Sequence, residues 1–162
     1  MSTIVLLVLL PALLMGVVCG LRSMTGPALV CWGAHLGWLH LEGSHLAFLA
    51  STSAVVVFSV CAVGELIADK LPKIPRRTSA GPLAWRVIVG AVGGAAFAIS
   101  GSAAFVLVLG CLSGVLGALI GAFGGYWTRR VLTVTKGLPD LPVALLEDLI
   151  AVGGGLFLVS RF

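Results

Sequence analysis

The sequence predicts an all-α membrane protein: a single domain over residues 1–162, folded as a bundle of about five spans with its first helix interrupted. Three observations predict it. Hydrophobic residues make up 59% of the chain and charged residues only 10%, where a soluble domain needs roughly 25% charged residues to cover its surface. Mean hydropathy is +1.17. The charges that exist fall between long uncharged runs, each near the roughly 20 residues a helix needs to cross the hydrocarbon layer.

The first run extends from Ser2 to Leu21 and ends at Arg22. No Lys or Arg precedes it, as a signal peptide would require, so it reads as a retained first span. Gly20, Gly26 and Pro27 around Arg22 predict a broken or unwound helix there. A shorter apolar piece, Ala28–Leu39, follows as a half-helix, a re-entrant segment or an interfacial one, and His40 to His45 form a polar connection. A second run from Leu46 closes at Glu65-Leu66-Ile67-Ala68-Asp69-Lys70, and Lys73 to Ser79 is a basic loop. Pro82 suits the first turn of the next helix. No charge occurs from Val87 to Thr128, about twice the length of one span, with a turn expected at Ser100-Gly101-Ser102. Arg129-Arg130 ends the second of these spans, and a last one runs from Pro142 to about Val159.

Basic residues flank two loops, Lys70 to Arg86 and Arg129 to Lys136. With these spans both loops fall on one side, which the positive-inside rule makes cytoplasmic. The expectation is a bacterial inner-membrane protein with its N-terminus cytoplasmic and its C-terminus outside. Arg22 then lies on the outer side, away from the acids that follow the second run.

Small residues recur every three or four positions in the fourth span, at Gly114, Gly117, Gly121, Gly124 and Gly125, which places them along one face. In lipid such a stripe lets helix backbones approach closely. It reads either as packing within one subunit or as a glycine zipper in a homo-oligomer. The cysteines, Cys19, Cys31, Cys61 and Cys111, have no paired spacing and read as small buried hydrophobes.

Ionisable groups at membrane depth cost roughly 2.5–3.5 kcal/mol each on insertion scales, so each calls for a partner or a role. Glu65 and Asp69 share a helix face by their spacing, where like charges repel unless a cation, a shared proton or an arginine relieves them. Glu147 and Asp148 lie in the second turn of the last span, where acids complement the helix dipole. Asp148-Leu-Ile-Ala also echoes Glu65-Leu-Ile-Ala, as an internal repeat would, and a repeat would bring the two acid clusters together. Arg22 cannot shed its charge and must find carboxylates, carbonyls or an anion. His35, His40 and His45 match no metal-ligand spacing, and no P-loop, dinucleotide fingerprint or catalytic motif is present, so the residues assign no metal, cofactor or nucleic acid.

Gly20-Leu-Arg-Ser-Met-Thr-Gly-Pro-Ala28, Gly64-Glu-Leu-Ile-Ala-Asp-Lys-Leu-Pro72 and Gly81-Pro-Leu83 before Ala84-Trp-Arg86 resemble the signature blocks of a family of small bacterial membrane proteins. That family is known as domain of unknown function four-one-two-six. The resemblance extends to Leu138-Pro-Asp-Leu-Pro142 and Glu147-Asp148 and implies that Arg22, Glu65, Asp69, Lys70 and Arg86 belong to the family pattern. It brings no activity with it.

The functional expectation is a transporter or channel for an ion or small polar solute, embedded in the lipid bilayer and self-associating. Arg22, Glu65 and Asp69 would handle the ligand, with Lys70, Arg86, Arg129, Glu147 and Asp148 as balancing charges. Two alternatives stand beside it: a non-catalytic scaffold or lipid-organising protein, and an intramembrane enzyme using Glu65 and Asp69 on a lipid-linked substrate.

Overall fold

Helix α1 (Ser2–Leu21) stops where Gly20 and Arg22 meet the start of α2 (Thr25–His35), and Pro27 falls in the first turn of α2, where no amide donor is needed. The computed structural model describes residues 2–69, 79–101 and 106–162, with side chains from Leu6 onward. Lys70, most of the basic loop and Ser102 of the expected turn lie outside the described residues.

After α2 the chain turns through Gly37, at φ +76°, and reaches a short 3₁₀ turn at Ala47–Ala50. Helix α3 (Thr52–Ala68) is capped by Ser51, whose side chain accepts from the Ala54 amide. Helix α4 (Ala80–Ser100) and α5 (Leu107–Arg130) follow, and α5 is extended by a π turn over Val131–Thr135. Helix α6 (Asp140–Ser160) closes the chain, with Asp140 in its first turn. Every one of these elements is helical.

Among the described residues, three helices are long and apolar enough to cross a membrane: Ala80–Ser100, Leu107–Thr135 and Asp140–Ser160. Two more, Leu6–Leu21 and Thr52–Ala68, are apolar but shorter.

The six helices alternate in direction. Cys19 lies against Val89 and Met15 against Gly93, so α4 runs antiparallel to α1. Gly94 meets Gly110 and Gly90 meets Gly114, which sets α5 antiparallel to α4. Gly155 packs on Leu29 and Val18, and Val159 on Gly33, so α6 runs alongside α2 and against α1. One end of the bundle therefore gathers the end of α1, the start of α2, the end of α3, the start of α4, the end of α5 and the start of α6. The opposite end gathers the His40 amide, which donates to Ser100 Oγ, and the edge-to-face rings of Phe97 and Phe162.

This arrangement corrects the expected topology. Helix α2 has 11 residues, about 16 Å of helix. With the turn after it, it carries the chain back to the far end instead of leaving it beside Arg22. Arg22 thus shares an end with Glu65 and Asp69. Val8 of α1 packs on Gly101 at the end where Phe162 lies, so both termini belong to the same end of the bundle. The expectation that they face opposite sides is not met.

Helices α1, α4 and α5 form the tightest part of the bundle, and glycine is the reason. A Cβ added at Gly16, Gly114, Gly117 or Gly121 would strike the backbone of a facing helix, so these positions let main chain rest on main chain. Gly124 does not join them: space is open where its side chain would be. Gly125 is buried. Cys19 and Cys31 are buried as expected, but Cys61 is exposed on α3 and Cys111 is only half-buried.

Candidate functional site

The break between α1 and α2 exposes main-chain carbonyls at one helix end and amides at the next start, and two charged side chains satisfy them. Arg86, on α4, donates through one guanidinium nitrogen to the carbonyls of Gly20 and Leu21, at 2.6 and 2.9 Å. Glu65, near the end of α3, accepts from the amides of Ser23 and Met24 at 2.8 and 2.7 Å, and from Ser23 Oγ at 2.7 Å. A carboxylate at a helix start and a guanidinium at a helix end each complement the local dipole. Arg86 and Glu65 also pair with each other at 3.5 Å.

Arg22 is fully buried within the break. It pairs with Asp69 from α3 and, at 2.5 Å, with Asp148 from α6. Asp69 also receives Arg129, at 3.2 Å, and Arg129 reaches both oxygens of Asp140 at 2.8 and 2.7 Å. Glu147 adds its negative field to Arg129. The result is one connected chain of charges, Asp148–Arg22–Asp69–Arg129–Asp140, with the Glu65–Arg86 clasp beside it.

The cluster runs from the edge of the bundle, where Asp140 is 63% exposed, to its interior, where Arg22 and Arg86 are buried. Arg86 follows the start of α4 by six residues and Asp148 the start of α6 by eight, depths of about 9 and 12 Å along their helices. At that depth an unpaired charge would be expensive, and the pairing offsets part of the cost.

The charges are divided by element. Arg22, Arg86 and Arg129 stand on the α1–α2 break, α4 and α5, within or beside the glycine-packed core. Glu65 and Asp69 stand on α3 or its C-cap, and Asp140, Glu147 and Asp148 on α6. Helices α3 and α6 each meet the core at this end through carboxylates.

All three residues expected to handle a ligand come together here, as do the supporting residues Arg86, Arg129, Glu147 and Asp148. The two acid clusters do meet, though Asp69, and not Glu65, shares Arg22 with Asp148. Asp140 is the functional candidate that sequence reasoning missed. Its position as the first residue of α6, opposite the end of α5, was the available signal.

Beside the charge chain, between α5 and α6, lies a partly open cleft of about 310 Å³ floored by Val17 and Leu21 of α1. Ile120, Val143, Leu146 and Ile150 form apolar walls, Gly121, Gly124 and Gly125 flatten one side, and Thr128, Arg129 and Glu147 supply the polar end. Glu65 and Asp69 do not line it. Among the described residues, no group of three His, Cys, Asp or Glu side chains is placed to hold a metal ion.

No curated protein and no solved structure shows significant similarity to this chain. A family model does match, over residues 9–160, which takes in all but the first turns of α1 and every charged residue of the cluster. The chain belongs to the family described as domain of unknown function DUF4126.

Proposed function

We propose that this protein is a small membrane transporter for an ion or small polar solute, with α3 and α6 held to a rigid α1–α4–α5 core by a releasable latch of ion pairs. The observation that carries the reading is the division of charge: the arginines belong to the core and its helix break, and the carboxylates belong to the two outer helices. A carboxylate that gains a proton or a competing cation loosens its hold on a guanidinium, whereas the guanidinium keeps its charge. The latch therefore has a chemical handle on the side that moves.

Helices α1 and α3 complete the crossings in this reading, with α2 and its turn as the return path. The basic residues then gather at the latch end, which faces the cytoplasm by the positive-inside rule. Both termini lie outside, in the inner membrane of a bacterial cell.

Uptake of a poorly permeant cation such as tetraethylammonium into proteoliposomes tests the transport reading. Protein-dependent uptake that falls at least tenfold in Asp69→Asn and Asp148→Asn is expected. Uptake equal in these variants and the parent, or equal to that of empty liposomes, contradicts it.

A second reading, a scaffold without cargo, draws on Glu65 and Arg86, which spend their hydrogen bonds on the main chain of the break. In that reading the same substitutions lower stability and nothing else. The acid–base reading of Glu65 and Asp69 gains no support, because neither lines the cleft.

A further inference from the structure

Arg22, Arg86 and Arg129 each pair with a carboxylate at the latch end, whereas Arg130, one residue beyond Arg129, pairs with none among the described residues. We propose that Arg130 anchors the headgroup of an anionic phospholipid, a phosphodiester of the phosphatidylglycerol type, in a cavity at the end of α5. Such a site needs only that α5 stand in a membrane. It is independent of transport.

The cavity, of about 250 Å³, forms where α5 passes into its π turn. Tyr126, Arg130, Thr133 and Val134 line it, at spacings of three and four residues that keep them on one face. Arg129 and Asp140 close the side toward α6. Drug-sized ligands occupy roughly 300–1,000 Å³. This smaller space suits a headgroup.

Its polar groups divide into those already engaged and those available. Both oxygens of Asp140 accept from Arg129, and Thr133 Oγ1 donates to the Arg129 carbonyl. Among the described residues, the Tyr126 hydroxyl and the Arg130 guanidinium have no hydrogen-bond or ion-pair partner. Both donate, and a guanidinium fork matches two oxygens of a phosphate. Arg129 and Asp140 cancel each other, which leaves the cavity the single positive charge of Arg130, the complement of one phosphodiester. The surroundings have the same sign. Lys136 follows, and residues 70–78 between α3 and α4 add Lys70, Lys73, Arg76 and Arg77 and no acid. With Arg22, Arg86, Arg129 and Arg130 these make nine bases, against the five acids Glu65, Asp69, Asp140, Glu147 and Asp148.

Depth and neighbours select a lipid over a free phosphate. The Arg130 guanidinium lies 5.7 Å from the centre of the Trp127 ring, and Tyr126 adjoins that ring. Trp and Tyr collect at headgroup level, where a lipid phosphate is found. Trp127 and Phe123, 59% and 44% exposed, continue from the cavity along one face toward the bilayer interior. They offer an acyl chain a surface that a soluble anion would leave uncovered. Arg161 repeats the ion–ring contact at the opposite end, 5.5 Å from the Phe157 ring, and lines neither the cleft nor this cavity. It serves as the control.

The experiment is thermal unfolding of the full chain in maltoside micelles, titrated with dioleoyl phosphatidylglycerol, phosphatidylethanolamine or phosphatidylcholine, or with tail-less glycerol phosphate. A ligand that binds only the folded state raises the midpoint as it saturates. Phosphatidylglycerol should half-saturate at a concentration roughly tenfold below the two zwitterionic lipids and glycerol phosphate. Arg130→Gln should weaken that response roughly tenfold, as loss of a charge-assisted contact does. Tyr126→Phe, which keeps the ring and tests the site through a second group, should weaken it about threefold. Arg161→Gln should leave it unchanged. An equal response to the three lipids, a matching response to glycerol phosphate, or equal weakening by Arg161→Gln overturns the site. So does parental affinity in folded Arg130→Gln and Tyr126→Phe proteins. Binding is read without flux, so failure of the transport reading leaves this result standing, and the reverse also holds.

Discussion

Arg22 has no exposed surface and two carboxylates from different helices against it, so removing it leaves both acids without their shared counter-charge. Breaking a buried pair by deleting one partner costs about 3–5 kcal/mol. Arg22→Gln should destabilise the purified protein by a free energy of that order, read as a lower unfolding midpoint. A midpoint within error of the parent would show that the pairs contribute no net stability. That Arg22 needs partners was legible in the sequence, because a guanidinium cannot neutralise itself at membrane depth. Which partners it takes was not. The spacing of Glu65 and Asp69 predicts mutual repulsion on one helix face, and the fold relieves it by sending the two to different targets. Glu65 goes to the amides that open α2 and to Arg86, and Asp69 to Arg22 and Arg129.

At the scale of elements, the glycines of α5 divide by neighbour. Gly114 and Gly121 rest on the backbones of α4 and α1, while Gly124 opens onto the cleft. Gly114→Leu therefore overpacks a backbone contact, which costs about 1–3 kcal/mol or more. Its midpoint should fall well below those of the parent and of Gly124→Leu. Similar midpoints for the two leucine variants would mean that α4 and α5 are not in main-chain contact. The recurrence of small residues in α5 announced a packing face, yet periodicity alone cannot separate a position that meets a helix from one that lines a cleft. Helices α4 and α5 were readable because the uncharged stretch between Val87 and Thr128 is about two spans long. Helix α2 misled for the same reason. Eleven residues fall below the length that marks a crossing, and without it Arg22 is assigned to the wrong end.

The whole molecule is a glycine-packed core with two outer helices attached at one end by charge and elsewhere by side-chain packing. At the far end α6 stays anchored through Gly155 on Leu29 and Val18, Val159 on Gly33 and Phe162 on Phe97. Release of Asp148 and Asp140 would then swing α6 away from α5 about that anchor and widen the cleft. The distance between α5 and α6 measures this directly. Spin labels at Leu116→Cys and Leu149→Cys, both exposed positions, report it by pulsed electron resonance in nanodiscs once the native cysteines are replaced. One short distance is expected in the parent, with an added longer population in Asp148→Asn and in Asp69→Asn. Identical distance distributions in the parent and both variants would contradict a latch and leave the ion pairs as fixed struts of the fold.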